Sequence, residues 1–354
     1  MITTLFLLGC TPLATSWSEV EEFPIREASS PTEAPAAPSS LRVLTWNVKF
    51  GGGRIDFFFD GWDDRVHMTT EEVDANMEGL LSLIEEVQPD ILLTQEVDIG
   101  SKRSAYVDQV DALLEGYGFN YAAWVPVWQS QYVAEEGVGR VQMGQAVFSR
   151  WPITYNARHD LPQPTDQSAV VNYFYLHRAI QEVEIDLGAQ GTLTVVNNHP
   201  DAYAMDGTKI VQLGMIHAVG ASAPGHLILG GDFNVVPPGS LWLSDYPDQP
   251  ALEGLGVAEV SYTVEETEAL LPFYDDWTAA IPLETYAGDT VEAQAPYFSH
   301  SISKDVFWTQ KLDYLFTTGT WTGATTLQKP GDGGITVDPM ALSDHAPLFA
   351  VLEL

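Results

Sequence analysis

The sequence predicts an α/β fold with one domain over residues 41–354. The first observation is an alternation of strand-like apolar runs and helical patterns that begins abruptly at Leu41. The second is that no long linker and no internal repeat interrupts the chain after that point. The third is a hydrophobic content of 45% in 354 residues, which is sufficient for a large core and excludes a wholly disordered chain.

The predicted elements follow from periodicity and from start and stop signals. A strand is predicted over residues 41–48. Thr69 and Glu72 have the spacing of a capping box, and the helix that they begin ends before Pro89. Its apolar face consists of Val73, Met77, Leu80, Leu81, Ile84 and Val87.

Strands dominate the rest of the domain. A short buried strand is predicted over residues 91–94, followed by a second helix that ends near Gly116. A further helix is predicted over residues 208–219. The remaining predicted strands are residues 146–149, 179–185, 192–197, 227–230, 312–317 and 348–352.

The charge and the cysteine content exclude several classes of site. The chain has 15 Lys and Arg against 49 Asp and Glu, a net charge of −34. Such a surface repels phosphate backbones, so we do not expect it to clamp nucleic acid through basic residues. It is compatible with a secreted protein from a salty habitat, or with a site whose positive charge comes from a metal. One cysteine allows neither an intrachain disulfide nor a zinc site built from cysteines.

The segment before the domain has two parts. Leu7-Leu8-Gly9-Cys10 ends an apolar run and resembles a bacterial lipobox, at which signal cleavage leaves the cysteine as a lipid-bearing N-terminus. Residues 1–10 are therefore predicted to be a lipoprotein signal segment, because the run is far shorter than the about 20 residues of a membrane span. The alternative is an ordinary N-terminus with a chance cysteine, since no Lys or Arg precedes the run.

Residues 11–40 are rich in Ser, Ala, Glu and Pro. Such a composition buries too little apolar surface to offset the entropy of ordering the chain, so it predicts a flexible tether. A tether between a lipid anchor and a folded domain fits the lipobox. The two segments together predict a bacterial lipoprotein of the cell envelope or the extracellular space, held at the membrane by its anchor.

Polar residues unsuited to a core recur where the predicted strands end. An Asp or Asn after a strand is usually a turn former. Six such ends, which together supply carboxylates, amides and two histidines, favour a convergent site, because open α/β sheets bind ligands at strand ends. The six are Asn47, Gln95-Glu96, Asn198-His199, Asp232-Phe233-Asn234, Asp313 and Ser343-Asp344-His345.

The chemistry of these residues indicates a metal-assisted reaction. Glu96 and Asp344, with Asn47, offer the hard oxygen ligands that Mg²⁺ or Mn²⁺ prefers. The set contains no sulfur, which disfavours zinc–thiolate chemistry. Two imidazoles beside a metal fit phosphoryl transfer, with one binding a phosphate oxygen and the other moving a proton.

Taken in order, these motifs resemble the endonuclease/exonuclease/phosphatase superfamily, which has the DNase I-like fold. The group includes pancreatic-type DNases, exonuclease III-like repair nucleases, neutral sphingomyelinases and inositol-polyphosphate 5-phosphatases. The resemblance covers essentially residues 41–354 and implies a four-layer sandwich, in which two largely antiparallel β-sheets are flanked by helices. The motifs that carry it are Thr45-Trp46-Asn47, Gln95-Glu96, Gly144–Ile153 (GQAVFSRWPI), Gly231-Asp232-Phe233-Asn234, Leu312-Asp313-Tyr314 and Ser343-Asp344-His345.

The resemblance implies a role for each metal-site and water-site residue. Glu96 would ligate the divalent metal, with Asn47 and Asp344 close to it. Asp232 and Asn234 would position the attacking water and the phosphate.

The resemblance also implies a proton-transfer pair and phosphate contacts. His345 would be the general base, oriented by Asp313. His199 would contact the scissile phosphate, although Pro200 follows it where the family usually has Leu. Arg178 would bind substrate phosphate, because the family often has an arginine near this position.

The leading hypothesis is therefore a Mg²⁺-dependent phosphodiesterase that acts on a phospholipid head group or a small extracellular phosphoester. The predicted anchor favours this hypothesis. An aromatic loop at residues 56–60 would also favour it by inserting into a membrane; the alternative is that this loop packs on the domain. An extracellular nuclease is the alternative, and the net charge disfavours it. A basic pair at residues 102–103 either binds substrate phosphate or lies in a solvated loop. A catalytically silent surface-binding module is the third. Nothing in the sequence indicates an oligomeric state.

Overall fold

Two β-sheets of seven strands each pack face to face in the computed structural model, which describes residues 13–34, 36, 38–58, 65–248 and 261–354. In chain order the strands are β1 (Val20–Glu22), β2 (Ile25–Glu27), β3 (Ser40–Asn47), β4 (Ile91–Asp98), β5 (Tyr121–Val133), β6 (Gly139–Ser149), β7 (Ile153–Asp160), β8 (Ala179–Asp186), β9 (Thr192–Asn198), β10 (His226–Asp232), β11 (Thr278–Ala279), β12 (Asp313–Thr317), β13 (Thr320–Thr326) and β14 (Leu348–Glu353). The α-helices of these residues are α1 (Thr70–Val87), α2 (Gln109–Gly116), α3 (Ala169–Phe174), α4 (Thr208–Ser222), α5 (Val264–Glu268), α6 (Leu271–Asp276), α7 (Leu283–Tyr286) and α8 (Val291–Gln294).

Sheet I has the strand order β1-β7-β8-β9-β10-β12-β11, and sheet II has the order β13-β14-β3-β4-β6-β5-β2. Neighbouring strands are antiparallel except for β9 with β10 and β3 with β4. Helices α1 and α2 cover the outer face of sheet II, and α4 covers the outer face of sheet I. The predicted sandwich of two largely antiparallel sheets flanked by helices is confirmed.

Helix α1 begins and ends where the sequence predicts. Thr69 is its N-cap, and the predicted capping box with Glu72 is present, a motif worth about 1 kcal/mol. The helix ends at Gln88, which has a left-handed φ of 51°. Its buried face contains Leu83 in addition to the predicted residues, whereas the predicted Leu81 is only partly buried. The Leu81 side chain packs against Gly116 of α2, where any larger residue would clash with it.

The facing surfaces of the two sheets are apolar at one end and polar at the other. Side chains of a strand alternate between its two faces. In β4, Ile91 and Leu93 point toward sheet I, and the next residue on that face is Gln95. The same order from apolar to polar appears in β3 (Leu41, Val43, Thr45), in β9 (Leu193, Val195, Asn197) and in reverse along β8 (Gln181, Val183, Ile185).

The polar end is a network of buried amides that crosses between the sheets. Asn197 of β9 donates to the Thr94 carbonyl at 3.0 Å and to Gln181 Oε1 at 3.2 Å. Its own side-chain oxygen accepts from Gln95 Nε2 at 2.7 Å, and its backbone carbonyl accepts from Gln145 Nε2 at 3.0 Å. These directional bonds set the position of one sheet over the other directly below the strand ends.

Part of the predicted tether belongs to the folded domain, so that prediction is wrong over residues 20–27. Strand β1 pairs with β7 at the edge of sheet I, and β2 pairs with β5 at the edge of sheet II. Between them, the Phe23 amide donates to the Asn156 carbonyl at 2.9 Å. Edge strands present unpaired backbone groups, and pairing with them orders this segment despite its composition.

Three longer strands are absent from the sequence prediction: β5, β7 and β13. Pro126 lies within β5, where it is tolerated because the pairing with β6 shifts register between Pro126 and Trp128. The predicted lipidation site, Cys10, lies outside the described residues. Among the described helices we find none with the length and apolar character of a membrane span.

Candidate active site

Most of the predicted site residues line one pocket of about 290 Å³ at the end of the sandwich where the amide network lies, and Asn47 and Asp313 bond to residues of that lining. The strands β3, β4, β9, β10 and β12 each bring a polar residue to this edge. The charged and polar side chains that line the pocket are Lys49, Glu96, Arg103, Tyr175, Arg178, His199, Tyr203, Asp232, Asn234, His300, Asp344 and His345.

Glu96 is turned into the pocket by a break in the regular strand. The pairing of β4 with β6 shifts register between Thr94 and Val97, and Glu96 has a left-handed φ of 56°. Bulges of this kind re-aim a side chain, and the strain of a left-handed residue is typical of functional sites. The side-chain amide of Asn47 donates to Glu96 Oε1 at 3.2 Å and to Asp232 Oδ2 at 3.1 Å.

Asp232 and Asn234 form the turn that follows β10. Asn234 has a left-handed φ of 50°, and its backbone amide donates to Asp232 Oδ1 at 2.9 Å. The side-chain amide of Asn234 donates to the Pro200 carbonyl at 3.0 Å. The proline that departs from the family pattern therefore contributes a backbone acceptor that holds a site residue in place. Burial raises the pKa of Asp232 to about 6.

His345 and Asp313 form a buried pair across the pocket. His345 Nδ1 lies 2.8 Å from Asp313 Oδ2, so Asp313 fixes the orientation of the ring. Nε2 of the same ring lies 3.5 Å from Asp232 Oδ2. Burial disfavours the charged imidazole, but Asp313 and Asp232 outweigh burial and raise the pKa of His345 to about 10. The Trp46 indole N–H donates to the His345 carbonyl at 2.8 Å and holds this loop against β3.

His199 and Arg178 have polar atoms without a hydrogen-bond partner among the described residues. His199 Nε2 lies 3.3 Å from Asp232 Oδ2, whereas its Nδ1 lacks a hydrogen-bond partner among the described residues. Arg178 is also buried, and its Nε and Nη1 have no such partner within the same described set. Burial, and then the charge of Arg178, lowers the pKa of His199 well below its usual value. Buried donors left unpaired are costly unless a ligand binds them, and these suit an anion.

Asp344 closes the pocket opposite Glu96. Its Oδ2 lies 3.7 Å from Lys49 Nζ. Burial alone would raise the pKa of Asp344, but Lys49 and His345 outweigh burial and hold it below its usual value. The hydroxyl of Ser343 donates to the Asn47 carbonyl at 2.7 Å and ties this loop to the end of β3.

Comparison with known proteins identifies the group to which this arrangement belongs. The model of the Endonuclease/Exonuclease/phosphatase family matches residues 44–345. The chain belongs to this family. Its members are generally phosphoesterases and nucleases that hydrolyse their substrates. A search of curated proteins finds no match to the sequence.

Several solved structures share the fold of this chain, although their sequences are only distantly similar to it. The endonuclease/exonuclease/phosphatase from Beutenbergia cavernae DSM 12333 is 18% identical, with a TM-score of 0.55, over 90% of this chain and 72% of that chain. The family protein from Leptotrichia buccalis C-1013-b is 15% identical, with a TM-score of 0.53, over 89% of this chain and 100% of that one. A functionally unknown conserved protein from Enterococcus faecalis V583 is 15% identical, with a TM-score of 0.52, over 89% and 100%.

Members of the Endonuclease/Exonuclease/phosphatase family typically depend on a divalent metal, and the acidic residues here fit one. Burial, and then the nearby charge of Asp344, raises the pKa of Glu96. A bound cation would relieve this repulsion between two carboxylates. Asp232, Asp313 and His345 also offer ligand atoms that lie within 4.8 Å of one another. In this second group His345 Nδ1 bonds to Asp313, so Nε2 is the ring nitrogen that could act as a ligand.

His300 is a pocket residue of this family member that the sequence analysis missed. Its ring lies 4.6 Å from that of His345, centroid to centroid, and its backbone bridges to His345 and Gln310. Burial, and then the charge of His345, lowers the pKa of His300 well below its usual value. No strand pattern precedes His300, so only the folded chain reveals it. Lys49 was also missed, although it follows the predicted Asn47 by two residues.

The basic pair after Glu96 is mainly structural. Arg103 is buried and donates to both oxygens of Asp98, from Nε to Oδ2 at 2.9 Å and from Nη2 to Oδ1 at 3.1 Å. Its guanidinium lies 3.8 Å from the centroid of the Phe50 ring. Lys102 is exposed and lies 3.4 Å from the Gly137 carbonyl. A solvated loop describes Lys102 but not Arg103, which is buried in an ion pair with Asp98 and also lines the pocket.

Proposed function

We propose that the protein is a divalent-metal-dependent phosphodiesterase that acts on a phospholipid head group or a small extracellular phosphoester. One observation carries the proposal. His345, oriented by Asp313, lines the same pocket as Glu96 and as Arg178 and His199, two buried side chains that keep polar atoms without a partner among the described residues. A base, an anion site and a carboxylate cluster in one pocket are the parts that phosphoester hydrolysis requires.

The protein side chains have separate tasks in this proposal. His345 is the general base, and Asp313 holds the ring so that Nε2 faces the pocket. Because Asp313 and Asp232 raise the pKa of His345 to about 10, Nε2 would accept the proton of the attacking water only when a bound cation offsets the charge of the nearby carboxylates. Asp232, with its carboxylate fixed by Asn47 and by the backbone of Asn234, positions the water. These hydrogen bonds pre-organise the site before substrate arrives.

The phosphate is bound from the opposite side. The guanidinium of Arg178, two of whose nitrogens have no partner among the described residues, donates to its oxygens, and the His199 ring lies beside them. Glu96, Asn47 and Asp344 are proposed to hold Mg²⁺ or Mn²⁺. When bound, such an ion polarises the phosphoryl oxygen and offsets the charge that develops on it.

We also propose that Cys10 is lipidated and that the protein lies at the cell envelope, tethered to a membrane. The motif before Cys10 and the acidic surface of the chain support this proposal. Replacing Cys10→Ser should move the protein from the membrane fraction to the soluble fraction when both forms are expressed in a bacterium. An unchanged distribution would contradict the anchor.

The proposed activity is tested with the full chain on plasmid DNA, RNA, sphingomyelin, a phosphoinositide and bis-nitrophenyl phosphate, each with Mg²⁺, Mn²⁺ or EDTA. We expect hydrolysis of a lipid or small diester that EDTA abolishes and that His345→Ala reduces by about 10²- to 10⁴-fold. His217→Ala is the matched control, because His217 Nε2 lies 2.8 Å from Asp276 Oδ2 in a similar pair outside the pocket.

Each other result selects a different function. Cleavage of nucleic acid that requires both the metal and His345 would make the protein an extracellular nuclease in spite of its net charge of −34. Full activity of His345→Ala on every substrate would overturn the assignment of the base. If the protein neither cleaves any substrate nor binds a divalent metal, the result would favour a silent binding module.

A further inference from the structure

A second, larger cavity of about 670 Å³ lies next to the catalytic pocket. Its lining is predominantly apolar, with the aromatic side chains of Phe58, Trp128, Phe174 and Tyr175 and the aliphatic side chains of Val138 and Leu176. Cavities of this size and character hold apolar parts of ligands rather than ions. None of the roles proposed for the catalytic residues involves this cavity.

The cavity is continuous with the site of chemistry. Trp128, Tyr175 and Leu176 line both the cavity and the catalytic pocket. Two residues after Leu176, Arg178 lines the catalytic pocket and keeps two guanidinium nitrogens without a partner among the described residues. A molecule whose phosphate binds Arg178 would therefore place its ester substituent at the entrance of the apolar cavity.

The cavity lining offers few polar groups that could recognise a polar substituent. The Trp128 indole N–H is already used, since it donates to the Phe174 carbonyl at 2.7 Å. The carboxylate of Glu135 is the charged group of the described lining, and Glu135 is an exposed residue. Apart from the Tyr175 hydroxyl, an anionic or strongly polar substituent would find few hydrogen-bond partners there to replace its hydration.

The lining also leaves apolar surface in contact with water. Val170 and Val171, on helix α3, are 70% and 50% exposed, although both border the cavity. Apolar surface in a concave site is stabilised when a hydrocarbon group covers it. The volume far exceeds what a methyl or ethyl ester would occupy, so the occupant is a longer group.

We propose that this cavity holds the alkyl chain of the substrate, so that the enzyme acts on phosphoesters that carry a hydrocarbon chain of several carbons. The inference rests on the proposed function, because it takes the catalytic pocket to bind the phosphate of the same molecule. It deepens that function by distinguishing amphiphilic esters from small polar ones and from nucleic acid.

The test measures binding apart from catalysis. The full chain is titrated calorimetrically, in Mg²⁺, with n-alkylphosphonates from butyl to octyl, kept below the concentration at which they aggregate. Their carbon–phosphorus bond is not cleaved, so the readout does not depend on turnover. We expect the dissociation constant to fall by about fourfold for each added methylene, as burial of a methylene predicts.

Two variants and a matched control connect the effect to the cavity. Val171→Asp places a charge in the cavity, and Ala134→Trp, at another exposed lining residue, fills part of it. Val264→Asp is the control, because Val264 is 53% exposed and, like Val171, lies in the first turn of a helix with a hydroxyl N-cap. We expect both cavity variants to bind butylphosphonate as the wild type does but to lose the dependence on chain length, whereas the control keeps it.

A dissociation constant that does not change with chain length, or a Val171→Asp variant that behaves like the control, would overturn the inference. Hydrolysis of methyl and octyl 4-nitrophenyl phosphate separates it from the proposed function. Chain-length-dependent binding without hydrolysis of either ester would overturn the proposed function and leave the cavity assignment in place. Equal hydrolysis of both esters, with no chain-length effect on binding, would overturn the cavity assignment alone.

Discussion

The two ends of the interface between the sheets are built from different side chains, although the same strands run through both. At the apolar end, residues such as Leu93 and Val195 are fully buried and pack without regard to direction. At the polar end, Gln95 and Asn197 occupy the equivalent positions two residues further along each strand. Below the site, directional hydrogen bonds therefore take the place of apolar packing and fix the positions of the strand ends.

This difference separates stability from function. The apolar end gains free energy from burial in proportion to area. The polar end gains less, because each amide must replace its bonds to water, and Gln95 Oε1 and Gln145 Oε1 have no partner among the described residues. Its contribution is the positioning of the catalytic strand ends. Substitutions at the polar end should therefore reduce activity, whereas substitutions at the apolar end should reduce mainly the free energy of unfolding.

The largest effect is expected from Asp232→Asn. It removes the carboxylate that lies 3.3 Å from His199 Nε2 and 3.5 Å from His345 Nε2, and we expect activity to fall by about 10²- to 10⁴-fold. The midpoint of thermal unfolding should stay the same or rise, because burial already raises the pKa of Asp232 and so disfavours its charge. Steady-state kinetics and thermal unfolding of the same preparation measure both. A variant that keeps its activity and loses stability would make Asp232 structural.

Leu93→Ala should show the reverse behaviour at the apolar end. Leu93 is fully buried between the sheets, so truncation leaves a cavity and should lower the free energy of unfolding by about 2–5 kcal/mol. Activity at a temperature where the variant is folded should change little. Urea unfolding measures the loss, with Leu241→Ala as the control because Leu241 is 48% exposed. Similar losses in both variants would mean that the sheets are not held together by this packing.

Asn197→Leu sharpens the comparison by placing an apolar side chain of similar size at the polar end. It leaves Gln95 Nε2 and Gln181 Oε1 without the bonds that Asn197 makes to them, so we expect a loss of about 1–3 kcal/mol. Activity should also fall, because Gln95 precedes Glu96. In the double variant with Gln95→Leu, the loss of stability should be smaller than the sum of the two single losses. Strict additivity would show that these amides do not act as one network.

The comparison also explains how much the sequence could predict. Strands β3, β4, β9 and β10 are short apolar runs that end in polar residues, so the ends of the strands can be read from the sequence, and with them Asn47, Glu96, His199 and Asp232. A polar residue at an inward position, such as Gln181, looks like an interruption of a strand. Its meaning depends on Asn197, its partner in the neighbouring strand β9 of the same sheet, 16 positions away, which in turn bonds to Gln95 of the other sheet.

Residues that depend on distant backbone contacts could not be found in this way. His300 enters the site because its backbone bridges to Gln310 and His345. Strands β1 and β2 have the composition of a tether and are ordered by the edges of the two sheets. Periodicity reports which face a residue occupies, but not which distant element completes a sheet or a pocket.

The smallest effect concerns a charge buried beside the polar end. Lys311 is 1% exposed, and its Nζ donates to the Asp313 carbonyl at 2.7 Å and lies 4.1 Å from the centroid of the Tyr314 ring. Burial lowers the pKa of Lys311 from 10.5 to about 7. Between these two values the unfolded chain binds more protons than the folded one, so this lysine makes stability rise with pH, by at most about 1.4 kcal/mol per pH unit.

Below pH 7 both states hold the proton, so the cost of burying the charge is complete and no longer changes with pH. Lys311→Met removes the titrating group. Relative to this variant, the wild type should therefore gain stability by on the order of 1 kcal/mol between pH 7 and pH 8. Urea unfolding at pH 7, 8 and 9 checks the slope, with Lys329→Met as an exposed control. Parallel pH profiles for the wild type and Lys311→Met would show that Lys311 has the same pKa in both states and that the polar end tolerates its charge.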